Sequence, residues 1–321
     1  MFLIFYWVFF FTLFGGGTSK LVVRPVVIDD TVIIPRVVNG KPATLGEVPY
    51  QVAFKIVHSR SRKTYITFCG GTIIAPTKLV SAAHCFELKK SQCAIFQDTI
   101  EIHSKFLRGK YAVAGNLLNV AKLQSTNKAS NGGQWRKLKK VIYPSRYNFP
   151  NHDIAVVMIF LPFDYNDHIA AIPYTEVNRD YNGKCLVSGY GRKSITKHIL
   201  SDKLLTAHLD LIPSYSCSRM HRKNMRKFVC TSSIVTDVGK GDSGGPLVCA
   251  NTGDPKESNM GILVGVVSGH RVKVGSFFTR VSSYREFIQY NNANTISYKG
   301  ILNFIIIIIY GSFSLFSFRF I

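Results

Sequence analysis

The sequence predicts an all-β protein, because short runs of β-branched and aromatic residues recur along the chain between glycine, proline and asparagine. Residues 37–290 contain no internal repeat and no linker. The chain has 321 residues, of which 46% are hydrophobic, enough for one large or two small globular domains. The runs that carry this prediction are VPYQVAFKIV (48–57), KLVSAAH (78–84), KYAVAGNLL (110–118), KCLVSGYG (184–191) and LVGVVSG (263–269).

The amino terminus is typical of a secretory signal. Residues 1–14 are almost entirely apolar and are followed by small residues, as expected of a hydrophobic core and a cleavage region. No Lys or Arg precedes the run, and a retained membrane anchor is the alternative, although the run is short for a span of about 20 residues. We predict a signal peptide over residues 1–19 and an extracellular protein.

Seven cysteines follow the predicted signal, all between residues 69 and 249. In a secreted protein this number predicts three disulfides and one unpaired thiol. No CxxC pair or matched His spacing indicates a zinc site, so we expect neither a metal nor a cofactor.

The sequence RVVNG at residues 36–40 allows two interpretations. It is consistent with a strand that runs into a turn. It is also consistent with a processing site, at which cleavage after Arg36 would free the α-ammonium group of Val37. The second interpretation requires a buried carboxylate as partner, and Asp242 is the candidate.

Three residues in separate motifs could form one catalytic unit. His84 follows a β-prone run in CGGTIIAPTKLVSAAHC (69–85), and Asp153 precedes the apolar run of NHDIAVVMIFL (151–161). An acid entering a buried strand must be paired, because burial of an unpaired charge is costly. The carboxylate could orient the imidazole, which would take the proton of Ser243 as the serine attacks a carbonyl.

Four motifs appear in the order SAAHC, HDIAVV, GDSGGPLVC and FTRVSSYREFI. In this order the chain resembles trypsin-type members of the chymotrypsin-like serine proteases over residues 37–290. The resemblance implies two six-stranded antiparallel β-barrels with a C-terminal helix and an active site in the cleft between the barrels. It places the protease domain at residues 37–291.

The resemblance also implies the role of each site residue. Ser243 would be the nucleophile, His84 the general base and acid, and Asp153 the residue that orients His84. The backbone N–H groups of Gly241 and Ser243 would form the oxyanion hole, which explains the glycines of DVGKGDSGGPLVC (237–249) better than an ordinary surface turn does.

Activation follows from the same resemblance. After cleavage behind Arg36, the new amino terminus at Val37 would insert and pair with Asp242. Residues 20–36 would form the activation propeptide, and they contain no cysteine that could tether them after cleavage.

The resemblance implies the disulfide partners as well. It leaves Cys93 unpaired, in a segment after His84 that is longer than is usual for the family. The pairs are Cys69 with Cys85, Cys185 with Cys249, and Cys217 with Cys230.

The specificity pocket both follows the family pattern and departs from it. Asp237 lies where trypsin-like members keep a carboxylate that favours Arg or Lys, and the alternative is an ordinary turn aspartate. Ser268 and Gly269 are the other predicted substrate-binding residues, but Gly269 replaces an aromatic residue. Gly239 replaces a cysteine, and the missing disulfide predicts a looser or differently shaped wall.

The net charge of +22 predicts attraction to anionic partners. Three basic clusters are solvated loops or a candidate patch for anionic polysaccharide: HSRSRK (58–63), WRKLKK (135–140) and RMHRKNMRK (219–227). They lack the interleaved aromatic residues of nucleic-acid binders, so we do not predict nucleic acid as a partner.

The expected partners are protein or peptide substrates, an activating trypsin-like protease and protease inhibitors such as serpins, and we expect a monomer.

Residues 292–321 form a hydrophobic tail with three interpretations: a membrane span, a removed lipid-anchor signal or a gene-prediction artefact.

The sequence as a whole predicts a zymogen of a serine endopeptidase that cleaves after Arg or Lys. The alternatives are a catalytically silent homologue that binds anionic partners and an active protease with another preference.

Overall fold

The computed structural model describes residues 40–96, 98–123, 133–191, 200–232, 241–271 and 274–291. The predicted signal peptide, the propeptide and the hydrophobic tail lie outside these residues. The described part of the chain contains sixteen strands, two short α-helices and four 3₁₀ turns. The all-β prediction is confirmed.

Six strands close the first barrel, in the order β10, β4, β3, β2, β7, β9, with β9 paired back to β10. Three further strands, β5, β6 and β8, extend the same sheet. All pairings in it are antiparallel. The strands are β2 (Gln51–Ser59), β3 (Thr64–Ala75), β4 (Lys78–Ser81), β5 (Ala94–Phe96), β6 (Thr99–His103), β7 (Lys110–Ala114), β8 (Val120–Lys122), β9 (Gln134–Pro144) and β10 (Ala155–Ile159).

The second barrel also closes with six strands, in the order β12, β11, β14, β15, β16, β13, with β13 paired back to β12. The short strand β1 adds to β12 at the edge. These strands are β1 (Lys41–Pro42), β11 (Lys184–Gly189), β12 (Leu205–Ile212), β13 (Phe228–Thr231), β14 (Pro246–Cys249), β15 (Ile262–Arg271) and β16 (Gly275–Arg280). The two six-stranded barrels are therefore confirmed.

Each barrel encloses its own apolar core, and a third cluster joins the two. This shared cluster contains Trp135 of β9 and Leu263 of β15, both fully buried, together with Tyr190. Burial of apolar surface is the dominant favourable term in folding, so the shared cluster holds the barrels together.

The helices lie outside the sheets. Helix α1 (Ser214–His221) follows β12, and helix α2 (Arg285–Tyr290) follows a 3₁₀ turn at Val281–Tyr284 and forms the expected C-terminal helix. In the described part of the chain, neither helix has the length and apolar character that a membrane span requires.

Six of the seven cysteines form the three implied disulfides, Cys69–Cys85, Cys185–Cys249 and Cys217–Cys230. Cys93 is free and half-buried, and its sulfur lies 3.9 Å from Tyr143 Oη. The long segment after His84 forms the β5–β6 hairpin, which pairs with β9 through β6 and so lies beside the first barrel.

Candidate active site

His84 lies in a 3₁₀ turn, Ala83–Cys85, directly after β4. The Cys69–Cys85 disulfide ties this turn to β3. The His84 side chain is 23% exposed, and its Nδ1 lies 2.8 Å from Oδ2 of Asp153. The backbone N–H of His84 donates to Asp153 Oδ1 over 2.9 Å. The carboxylate therefore holds both the ring and the main chain of the histidine.

Asp153 is fully buried two residues before β10, yet it is well supplied with hydrogen bonds. Ser268 of β15 donates its hydroxyl to Asp153 Oδ2 over 2.6 Å. Thr279 of β16 donates to the Asp153 carbonyl oxygen over 2.7 Å. The first barrel thus supplies the acid, and the second barrel supplies donors that stabilise it in its buried position.

Ser243 lies on a tight turn that is tied to the His84 region by main-chain contacts. Its carbonyl oxygen accepts from Gly70 N of β3 over 2.8 Å and lies 3.8 Å from the Cys85 sulfur. Gly244 follows it with φ +78°, and a Cβ there would lie 2.3 Å from Ser81 Oγ. Only glycine fits that close crossing of the turn over β3 and β4.

Asp242 is also fully buried, and two glycines make room for its carboxylate. Gly191 donates its N–H to Asp242 Oδ1 over 2.7 Å. A Cβ at Gly189 would lie 2.0 Å from Asp242 Oδ1, and one at Gly191 would lie 2.1 Å from Oδ2. Gly241, with φ +113°, starts the turn beside Gly191. Gly189 and Gly191 therefore shape a seat for the Asp242 carboxylate, beside the turn that begins at Gly241.

The predicted pocket residues Ser268 and Gly269 lie next to each other on β15, where the strand bulges opposite β16. Ser268 is buried, and its hydroxyl donates to Asp153. A Cβ at Gly269 would lie 2.4 Å from Cζ of Phe277. The ring of Phe277 thus occupies the space beside Gly269, where the sequence lacks the expected aromatic residue.

Phe149 covers His84 on another side. The residue is 52% exposed, and its ring centroid lies 5.6 Å from that of the imidazole in an edge-on arrangement. Phe149 belongs to the segment between β9 and β10 that also carries Asp153. One segment therefore supplies both the acid that orients His84 and an apolar shield for the ring.

Four residues singled out from the sequence lie outside the described residues: Arg36, Val37, Asp237 and Gly239. Sequence reasoning did not find the bonds of Ser268 and Thr279 to Asp153, or the seat that Gly189 and Gly191 provide. The glycine pair in SGYG (188–191) was the one visible signal for that seat.

The sequence model of the trypsin family matches residues 37–288. This chain belongs to the trypsin family. The resemblance to chymotrypsin-like serine proteases is therefore confirmed over most of the chain.

Individual members of the family are moderately similar to this chain. Ovochymase of Halocynthia roretzi is 30% identical over 277 residues, which cover 81% of this chain and 16% of that protein. Complement factor I of Rattus norvegicus is 29% identical over 271 residues, with 79% of this chain and 38% of that protein covered. The chain therefore spans well under half the length of these relatives.

A solved structure shows the same fold. Neuropsin, described as a serine protease expressed in the limbic system of mouse brain, superposes with a TM-score of 0.58 at 20% identity. The match covers 78% of this chain and 97% of neuropsin.

Proposed function

We propose that the protein is a secreted serine endopeptidase, made as a zymogen and activated by cleavage after Arg36. The observation that carries the proposal is the buried Asp153 carboxylate, which binds His84 at 2.8 Å beside the turn that holds Ser243. Membership of the trypsin family supports the same reaction class.

In the proposed reaction, His84 takes the proton of Ser243 Oγ as that oxygen attacks the substrate carbonyl. The bond from His84 Nδ1 to Asp153 leaves Nε2 as the atom that receives the proton. The imidazolium then donates the proton to the leaving amine, and a water molecule repeats the cycle on the acyl-enzyme. The Asp153 side chain stabilises the imidazolium through its bond to Nδ1.

The negative charge that develops on the carbonyl oxygen would be bound by the N–H groups of Gly241 and Ser243. Loss of one such donor typically lowers kcat by about 10²- to 10³-fold. The geometry of Gly241, with its positive φ, supports this assignment because it lets the turn begin close to the main chain at Gly191.

Activation would act through the Asp242 carboxylate. A buried carboxylate is costly unless a positive charge or hydrogen bonds compensate it. The free α-ammonium of Val37 is the positive charge that cleavage after Arg36 would create. Because Asp242 adjoins both proposed oxyanion donors, its pairing would order them.

We further propose that substrates are cleaved after Arg or Lys, with Asp237 binding the cationic side chain. A second candidate is a protease with another preference. The Phe277 ring favours it, because this ring occupies the space beside Gly269, one of the residues predicted to bind the substrate.

The test is a peptide-library profile of the activated protein. The full chain is expressed in a secreting host and cleaved with immobilised trypsin, which is then removed, and terminal sequencing verifies Val37 as the new amino terminus. The Ser243→Ala variant, treated in the same way, measures any carried-over trypsin. We expect cleavage after Arg and Lys that the variant lacks.

Other outcomes decide between the alternatives. Cleavage after other residues that is lost in Ser243→Ala would support a serine protease. It would contradict the proposed binding of a cationic substrate side chain by Asp237. No cleavage by folded and correctly processed protein would reject the protease in favour of a binding homologue.

A further inference from the structure

A basic depression lies beside the segment that carries Asp153. It has a volume of about 580 Å³, and four exposed cationic side chains line it. Arg146 comes from the segment between β9 and β10, and Lys223, Arg226 and Lys227 come from the turn between α1 and β13. Two segments that are far apart in the sequence therefore bring their positive charges to one place.

Among the described residues, no acid is ion-paired to any of these four cations. No Asp or Glu of the described part of the chain lines the depression either. Burial, followed by the charges of Lys227 and Arg146, lowers the pKa of His152 in the wall. The positive charges therefore act on the same concave space.

The floor of the depression is uncharged. Tyr284 is buried there, with its hydroxyl 3.3 Å from His152 Nδ1 and the Lys227 ammonium 5.9 Å from its ring centroid. Burial and the charge of Asp153 raise the pKa of Tyr284 to about 12, so the phenol stays neutral at physiological pH. A bound anion would meet positive groups and neutral hydrogen-bond donors.

A second depression, of about 540 Å³, continues the first and shares Lys223, Asn224 and Arg226 with it. Its far side consists of Ser214, Ser218 and Tyr215, a residue that is 77% exposed. The nearby acid Asp180 accepts from Ser214 and is ion-paired to Arg280 at 2.6 Å. The two depressions thus form an elongated track in which cations lead to hydroxyls and an exposed aromatic ring.

We propose that this track binds a sulfated polysaccharide. Spaced cations in a concave track match a polymer with regularly spaced sulfates, because the planar guanidinium of an Arg can donate two parallel hydrogen bonds to two oxygens of one sulfate. The ring of Tyr215 offers a flat apolar face to a sugar, and the Ser218 hydroxyl, whose oxygen accepts from Met225 N, can donate to a sugar oxygen. A single small anion would not need the second depression.

The experiment measures binding of a defined heparin dodecasaccharide to the full chain by calorimetry at physiological salt. One variant replaces the four track cations (Arg146→Gln, Lys223→Gln, Arg226→Gln, Lys227→Gln). The matched control replaces four exposed cations of the first barrel (Lys105→Gln, Arg108→Gln, Lys137→Gln, Lys139→Gln) and so loses the same charge. The catalytic serine is left unchanged, and thermal unfolding checks that both variants are folded.

We expect the track variant to bind about tenfold or more weakly and the control to lose less than about threefold, because most of the affinity comes from local contacts. Equal losses in both variants would overturn the proposal and leave only attraction by net charge. Failure of the unaltered chain to bind the oligosaccharide would also overturn it. So would a poly-glutamate peptide that binds at the track more tightly than the oligosaccharide, because the partner would then be an acidic polypeptide.

These measurements are independent of peptidase activity. A Tyr215→Ala variant tests the contribution of the aromatic ring by itself, because this substitution leaves the net charge unchanged. We expect it to weaken the binding of the oligosaccharide and to leave the binding of inorganic sulfate unchanged.

Discussion

The Asp242 carboxylate has room in the fold because Gly189 and Gly191 carry a hydrogen atom where other residues carry a side chain. We predict that Gly191→Ala lowers kcat/KM by at least about 100-fold and the free energy of unfolding by about 1–3 kcal/mol. The added Cβ would lie 2.1 Å from Asp242 Oδ2, so the carboxylate and the adjoining turn must move. Urea unfolding and steady-state kinetics on the activated protein measure the two effects.

Gly253→Ala is the control, because a Cβ there meets nothing within 4 Å although φ is +67°. It should cost about 1 kcal/mol from backbone strain and leave kcat/KM unchanged. Unchanged activity in Gly191→Ala would show that Asp242 does not position the catalytic turn.

Ser268 acts on the proposed reaction through Asp153. We predict that Ser268→Ala lowers kcat about tenfold and leaves KM within a factor of about two, because a charge-assisted hydrogen bond to the carboxylate is lost. Thr279→Val is the control, since Thr279 donates to the main-chain oxygen of Asp153 and not to its carboxylate. Equal losses of kcat in the two variants would mean that both merely support the fold.

At the scale of elements, the β15–β16 pair determines the shape beside the predicted pocket. We predict that Gly269→Ala destabilises the protein by about 1–3 kcal/mol, because its Cβ would lie 2.4 Å from Cζ of Phe277. In a Phe277→Leu background, Gly269→Ala should lower the free energy of unfolding by less. The coupling energy between the two substitutions should exceed about 0.5 kcal/mol. Denaturant unfolding of the unaltered protein, the two single variants and the double variant measures this coupling energy. Additive losses of stability would contradict the close contact between Gly269 and Phe277.

The same strand pair shows what the sequence could and could not predict. Local patterns were sufficient for the strands and for the motifs around His84, Asp153 and Ser243. The sequence also revealed that the usual aromatic residue is missing at Gly269. It did not reveal that Phe277 fills the space, because the bulge between Val267 and Gly269 sets the register of β15 against β16.

Long-range contacts were similarly hidden. The hydroxyl of Ser268 reaches Asp153 across 115 positions of the chain, a distance over which local pattern carries no information. The β5–β6 hairpin was visible as extra length after His84, but its pairing with β9 depends on the closed barrel.

For the molecule as a whole, a buried lysine contributes to the junction between the barrels. Lys55 of β2 is fully buried, and its Nζ lies within hydrogen-bond distance, 2.7–2.9 Å, of Thr67 Oγ1 and of the carbonyl oxygens of Leu118 and Asn119. Asn119 in turn donates to the Ser201 carbonyl oxygen at 2.7 Å, just before β12 of the second barrel. Lys55 Nζ also lies 5.4 Å from the ring centroid of Tyr190, which follows β11.

This junction makes stability depend on pH. Burial lowers the pKa of Lys55 to about 7, whereas the unfolded chain has the ordinary value of about 10.4. Between these two values the unfolded chain binds more protons than the folded chain. The contribution of Lys55 to stability therefore rises with pH from about 7 to about 10.4 and is lost again as the pH falls through that window.

We predict that the free energy of unfolding of the unaltered protein increases over this window, with up to about 1.4 kcal/mol per pH unit from Lys55, the slope for one proton. Lys55→Met should remove that part of the slope and retain a smaller one from Lys78, whose pKa burial lowers to about 8. Urea unfolding at intervals from pH 7 to pH 10 measures the slopes. A Lys55→Met protein with the slope of the unaltered chain would show that Lys55 stays protonated in the fold, with its three oxygen acceptors outweighing its burial.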